Sequence, residues 1–266
     1  MASADILYTS GKDEEFVATE IGREQAKITI KGDGTMDVEL SKKLITLFKG
    51  EQTISTNTGV ERGTYFNFVS PTSGSKIKQN EEQTKFIKNY FNLNQTKSYS
   101  PMTCYMQPKN MAMSYHTHPY CQNEITKEKF YVFTLPSDGD IIHYFSDPYI
   151  RPGKIHFVVD ALGYYVLCLG GPPYGMHQLK GKKIIRNIVK EFSKLQTTYE
   201  RPGNRFALFF TVSKNSNDYE NIHKVKKLIN DTIDRVITNE IYKPFQHFKF
   251  YLFDDPPPVL KNIRIL

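Results

Sequence analysis

The 266-residue sequence contains no tryptophan and only three cysteines, Cys104, Cys121 and Cys168. No two cysteines form a CxxC pair, which excludes a disulfide framework and a cysteine zinc finger. An odd, sparse set fits a reducing compartment. The chain opens Met-Ala-Ser-Ala-Asp-Ile-Leu-Tyr, without the basic start and apolar run of a secretory leader. Its longest apolar stretch, 157–169, is interrupted by Asp160 and is too short to cross a bilayer. A cytoplasmic or other reducing intracellular location is therefore expected, with no membrane partner. Net charge is +7, but the basic residues are spread along the chain rather than blocked, so nucleic acid is not an expected partner either. There is no internal repeat, no low-complexity tract and no HExxH. The run 175–183 is not a phosphate-binding loop, because five residues separate its glycines and no Ser or Thr follows Gly-Lys.

The chain is long enough for one large domain or two modest ones. Residues 1–34 are polar, with a turn signal at Gly32-Asp-Gly34, and predict a short strand or hairpin behind a loose N-terminus. The alternation over 36–40 predicts a strand. Ser41 is placed to cap a helix that carries Leu44, Ile45, Leu47 and Phe48 on one face and stops at Gly50. Further strands are expected over 60–69, 98–108, 111–116 and 130–134, with a short helix over 82–91 and a helical turn over 140–145. The run 155–169 predicts two buried strands hinged near 161–163. After the Gly/Pro break at 170–175, helices are expected over 182–199 and 222–241 and strands over 205–212 and 248–253. Pro256, Pro257 and Pro258 form a stop. These patterns divide the chain into an N-terminal segment (1–34), a central domain (35–175) and a C-terminal α/β segment (176–266).

The chemistry concentrates in 114–142. His116 and His118 are two apart, and on a strand such side chains leave one face, ready to take one metal ion. Pro119, which has no N–H for a ladder, ends that strand. Ser137 is a natural N-cap, and Asp140 falls in the first turn of the helix it would open, where a carboxylate is favoured. Two imidazoles and a carboxylate leave zinc a fourth position for water. Taken singly, the histidines could be a surface pair, the Ser-x-x-Asp a plain helix cap and Glu61, 55 residues before His116, a solvated strand carboxylate.

Together, Glu…His-x-His-Pro…Ser-x-x-Asp resembles the active-site signature of the JAMM (JAB1/MPN-type) zinc metalloproteases, which include deubiquitinating isopeptidases. The resemblance covers about 36–169. It implies an α/β fold, cytidine-deaminase-like, with a curved mixed sheet flanked by helices. It further implies Zn2+ on His116, His118 and Asp140, with Glu61 as general acid/base and Ser137 stabilising the oxyanion. Peptide or isopeptide hydrolysis follows, with a protein substrate such as ubiquitin or a ubiquitin-like modifier. The chain departs from the family pattern in three places. Asp140 lies 22 positions after His118 instead of about ten, which makes 120–134 an insertion at the mouth of the site and leaves Asp138 as an alternative ligand. Arg62 alone separates Glu61 from Gly63, and Tyr115 stands where the family often has tryptophan.

Two other classes compete. His116, His118, Glu124 and the later Gly153-Lys-Ile-His156 loosely resemble a cupin, an all-β barrel binding iron or manganese through three histidines and a glutamate. A non-catalytic MPN-like scaffold is the other, although such relatives typically lose ligands that are all present here.

Overall fold

A computed structural model describes residues 13–20, 23–58, 60–69, 86–89, 113–118, 130–134, 136, 153–169, 183, 186–187, 190, 209–213, 218–238 and 245–264. The fold is mixed α/β, built on two large sheets with few helices, in line with the expected class at that level.

The first sheet starts with β1 (Glu14–Glu20), β2 (Arg23–Ile30) and β3 (Thr35–Leu40), all antiparallel. Gly34, at φ 81°, makes the tight turn between β2 and β3 that Gly32-Asp-Gly34 announces. Ser41 then caps α1 (Lys42–Thr58), its Oγ accepting from the Leu44 amide at 3.2 Å.

The helix does not stop at Gly50. A glycine within a helix costs about 1 kcal/mol relative to alanine, which is a penalty and not a terminator. The apolar stripe ends because the buried face changes chemistry, from Leu44, Ile45 and Phe48 to Glu51, Gln52 and Ser55.

One strand was expected over 60–69, and two are found. β4 (Val60–Tyr65) belongs to the second sheet and β5 (Asn67–Val69) to the first, beside β1. The chain changes sheets at Phe66, whose ring is fully buried and whose amide donates to the Met113 carbonyl at 3.0 Å. The helix expected over 82–91 is also corrected, because β6 (Phe86–Asn89) pairs antiparallel with β4. A short apolar run does not distinguish strand from helix by period, and the open edge of β4 decides it.

β7 (Met113–Thr117) lies between β4 and β9 (Ile155–Val159), antiparallel to the first and parallel to the second. β8 (Phe130–Thr134) pairs instead with β11 (Phe209–Ser213) as a separate ribbon. The expected pair over 155–169 is present as β9 and β10 (Gly163–Leu169). Lys183, Arg186, Asn187 and Lys190 are helical, within the helix expected over 182–199. The second long helix, α2 (Asp218–Thr238), packs on β12 (Phe245–Leu252). Asn230 bonds both the Phe250 amide and carbonyl, at 2.8 and 2.9 Å, and so satisfies backbone groups on an edge strand.

The proline run does not end the structure. β13 (Val259–Arg264) follows it and pairs with β3. The second sheet thus runs β12-β10-β9-β7-β4-β6, and the first runs β13-β3-β2-β1-β5. Strands from all three expected segments share these sheets. The strand over 98–108 and the turn over 140–145 lie outside the described residues. No helix among the described residues is long and apolar enough to cross a membrane.

Alternation along β7 assigns the two faces of the second sheet. Tyr115 points into the main core, where the Phe48 ring sits 5.2–5.3 Å from those of Tyr115, Phe157 and Tyr164. Tyr115 is therefore a core residue. Ser114 and His116 leave the opposite face, and both are buried.

Candidate metal centre

Register brings the site together on that face. Gly63 pairs with His116 across β4 and β7, so Glu61, two residues earlier, stands on the same side and diagonal to the histidine. His118 lies one residue beyond β7 and is held at its backbone from both sides. Its amide donates to the Val159 carbonyl at 2.9 Å, and its carbonyl accepts from Gln52 Nε2 at 2.8 Å.

The polar end of α1 fixes the same two strands from behind. Thr117 Oγ1 donates to Ser55 Oγ at 2.8 Å and accepts from the Arg62 amide at 2.9 Å. Arg62 Nε bonds Glu51 Oε2 at 2.6 Å. Gln52 therefore holds His118 itself, while Glu51 and Ser55 hold residues next to candidate ligands: Arg62 follows Glu61, and Thr117 lies between the histidines.

Glu61, His116 and His118 each bring one ligand atom to within 4.8 Å of the others, a set that can hold a metal ion. His116 Nε2 and His118 Nε2 are 3.1 Å apart. Two nitrogens on one tetrahedral zinc, each at 2.0–2.1 Å, stand about 3.3–3.4 Å apart, so the pair already has nearly the bite the ion requires. Glu61 and His116 are 1% and 0% exposed, while His118 is only half-buried, so the centre reaches the surface on the His118 side. A carboxylate this deep favours a cationic environment, which two imidazoles with an ion between them supply. The Glu61 position accommodates either direct ligation or a water between carboxylate and ion.

Glu61 is thus brought to His116 and His118 from 55 positions before His116 in the sequence. Ser137, Asp138 and Asp140 lie outside the described residues, as does Glu124.

His156 is the residue the zinc-protease reading left out. It joins the site through His116 Nδ1, with Nε2 2.7 Å away, and its own Nδ1 lies 2.7 Å from Ser114 Oγ. Because it meets His116 on the Nδ1 side, it cannot also bind an ion held at His116 Nε2, so it does not take the place of a third cupin histidine. Among the described strands, the sheet carrying these residues is open, with edges at β12 and β6. Ser114 could have been found from the alternation Ser-x-His-x-His, which places all three side chains on one face.

No protein-family model, curated protein or solved structure matches the chain.

Proposed function

We propose that this chain is a zinc-dependent hydrolase of peptide or isopeptide bonds, with ubiquitin or a ubiquitin-like modifier as the substrate class that the JAMM resemblance implies. The observation that carries the reading is the meeting of Glu61, His116 and His118 at one buried point. Zinc bound there supplies an acidified water and a Lewis acid for the scissile carbonyl.

The residues of the chain do the rest. His116 and His118 hold the ion, with Asp140 as third ligand on the strength of the resemblance. A Glu61 carboxylate oxygen takes a proton from the attacking water and returns it to the leaving nitrogen. The Ser137 hydroxyl, also assigned by resemblance, donates to the developing oxyanion.

The test is turnover of a di-ubiquitin and isopeptide panel by wild type and Glu61→Gln, with zinc measured on both. Glutamine keeps the size and one hydrogen bond but cannot take a proton. Zinc and fold should survive, and hydrolysis should fall by about 10²–10⁴-fold, the usual worth of a positioned general base. Equal turnover in the two would remove Glu61 from the mechanism. Iron or manganese in place of zinc would redirect the assignment to a different metal chemistry.

A further inference from the structure

Three imidazoles and a serine hydroxyl form one line through the site. Ser114 Oγ is 2.7 Å from His156 Nδ1, His156 Nε2 is 2.7 Å from His116 Nδ1, and His116 Nε2 is 3.1 Å from His118 Nε2. Ser114, His156 and His116 are 4%, 2% and 0% exposed. The His116 and His156 ring centroids are 4.9 Å apart and their planes 27° from parallel, with the 2.7 Å nitrogen–nitrogen contact as the link between them.

A neutral imidazole has one N–H and one lone pair, so protons can be arranged along this line in only two directions. In the first, Ser114 donates to His156, His156 donates from Nε2 to His116, and His116 carries its proton on Nε2. In the second, His116 donates from Nδ1 to His156 Nε2, and His156 donates from Nδ1 to Ser114 Oγ. Only the second leaves His116 Nε2 as a lone pair facing His118 and Glu61.

We infer that His156 is a positioning residue for His116, an inference that rests on the metal-site reading above. It accepts the His116 Nδ1–H, with Ser114 behind it as acceptor for its own N–H, and so holds His116 in the tautomer and ring orientation that binds an ion. Metal-ligating histidines regularly give their second N–H to an orienting acceptor, commonly a carboxylate or a backbone carbonyl. A second buried histidine fills that place in this chain.

The experiment uses the full chain and two readouts. Zinc affinity is measured by competition with a chromophoric chelator. The tautomer of His116 is read from ¹⁵N–¹H side-chain spectra of the metal-free protein. His156→Phe keeps a ring but offers no acceptor. It should weaken zinc by about 10–100-fold, the usual cost of losing an orienting partner, and shift His116 toward the Nε2–H form. His156→Gln, whose amide oxygen can accept, should restore part of both. Ser114→Ala should move both in the same direction by less, and it carries the test if His156→Phe does not fold, as judged by circular dichroism. Unchanged affinity and an unchanged His116 tautomer in folded variants would overturn the inference, as would a wild-type His116 protonated at Nε2. A wild type that takes up no zinc while His116 keeps its Nδ1–H bond to His156 would contradict the metal reading and leave the hydrogen-bond assignment standing.

Discussion

Arg62 Nε donates to Glu51 Oε2 at 2.6 Å between β4 and α1, in a pair whose side chains are only 17% and 6% exposed. Arg62 is the residue between Glu61 and Gly63, so this ion pair fixes the strand that delivers the carboxylate to the histidines. Glu51→Ala would leave the guanidinium charge without that acceptor in a largely dry place. Stability of the metal-free chain should then fall by about 3–5 kcal/mol, the cost of breaking a buried pair. Glu51→Gln, which keeps an acceptor, should lose less. Urea unfolding measures both, and a loss below about 1 kcal/mol for Glu51→Ala would mean the pair behaves as a surface ion pair.

Gly163 marks a close approach of two strands. A Cβ there would lie 2.1 Å from the Tyr251 carbonyl oxygen and 2.8 Å from Phe250 Cζ. Since the nearer atom is backbone, β10 and β12 would have to separate. Gly163→Ala should destabilise by about 1–3 kcal/mol, as overpacking does. A variant as stable as wild type in thermal melting would mean that the strands give way without cost.

His247 makes stability depend on pH. Its Nε2 lies 3.0 Å from the Tyr251 hydroxyl, and burial, aided by the Lys249 charge, holds its imidazole down at about 4. The unfolded chain titrates this group near ~6.5, so between those values it binds a proton that the folded chain refuses. The stability this group contributes is complete above ~6.5 and is lost as pH falls toward 4, with a slope of at most about 1.4 kcal/mol per pH unit. His247→Gln should flatten the difference in unfolding free energy measured from pH 7 down to pH 4.5. An identical slope in wild type and variant would contradict the assignment.

Local pattern was enough wherever one face of an element is apolar and the other is not. The cap at Ser41 and the paired strands either side of 161–163 follow from alternation and turn chemistry alone, and α2 from its apolar face. Prediction failed where a partner distant in sequence decides. β6 is a strand because β4 offers an edge, and β13 forms beyond the prolines because β3 does. The second half of α1 escaped notice because its buried side is polar, and no hydrophobic period reports Glu51, Gln52 and Ser55. At the site, His116 and His118 announce themselves by spacing. Glu61 needed the family pattern to be singled out. His156 entered only through the cupin comparison, since a single histidine in an apolar strand carries no metal signature until the parallel pairing with β7 sets it beside Ser114.

The most direct test of the central claim is metal content. The 266-residue chain, His116→Ala and His118→Ala would each be purified, equilibrated with zinc, desalted and analysed for metal by elemental analysis, with circular dichroism as the check on folding. Wild type should retain one zinc per chain, and each folded alanine variant should retain almost none. A wild type without metal, or variants that keep as much as wild type, would contradict a metal centre at Glu61, His116 and His118.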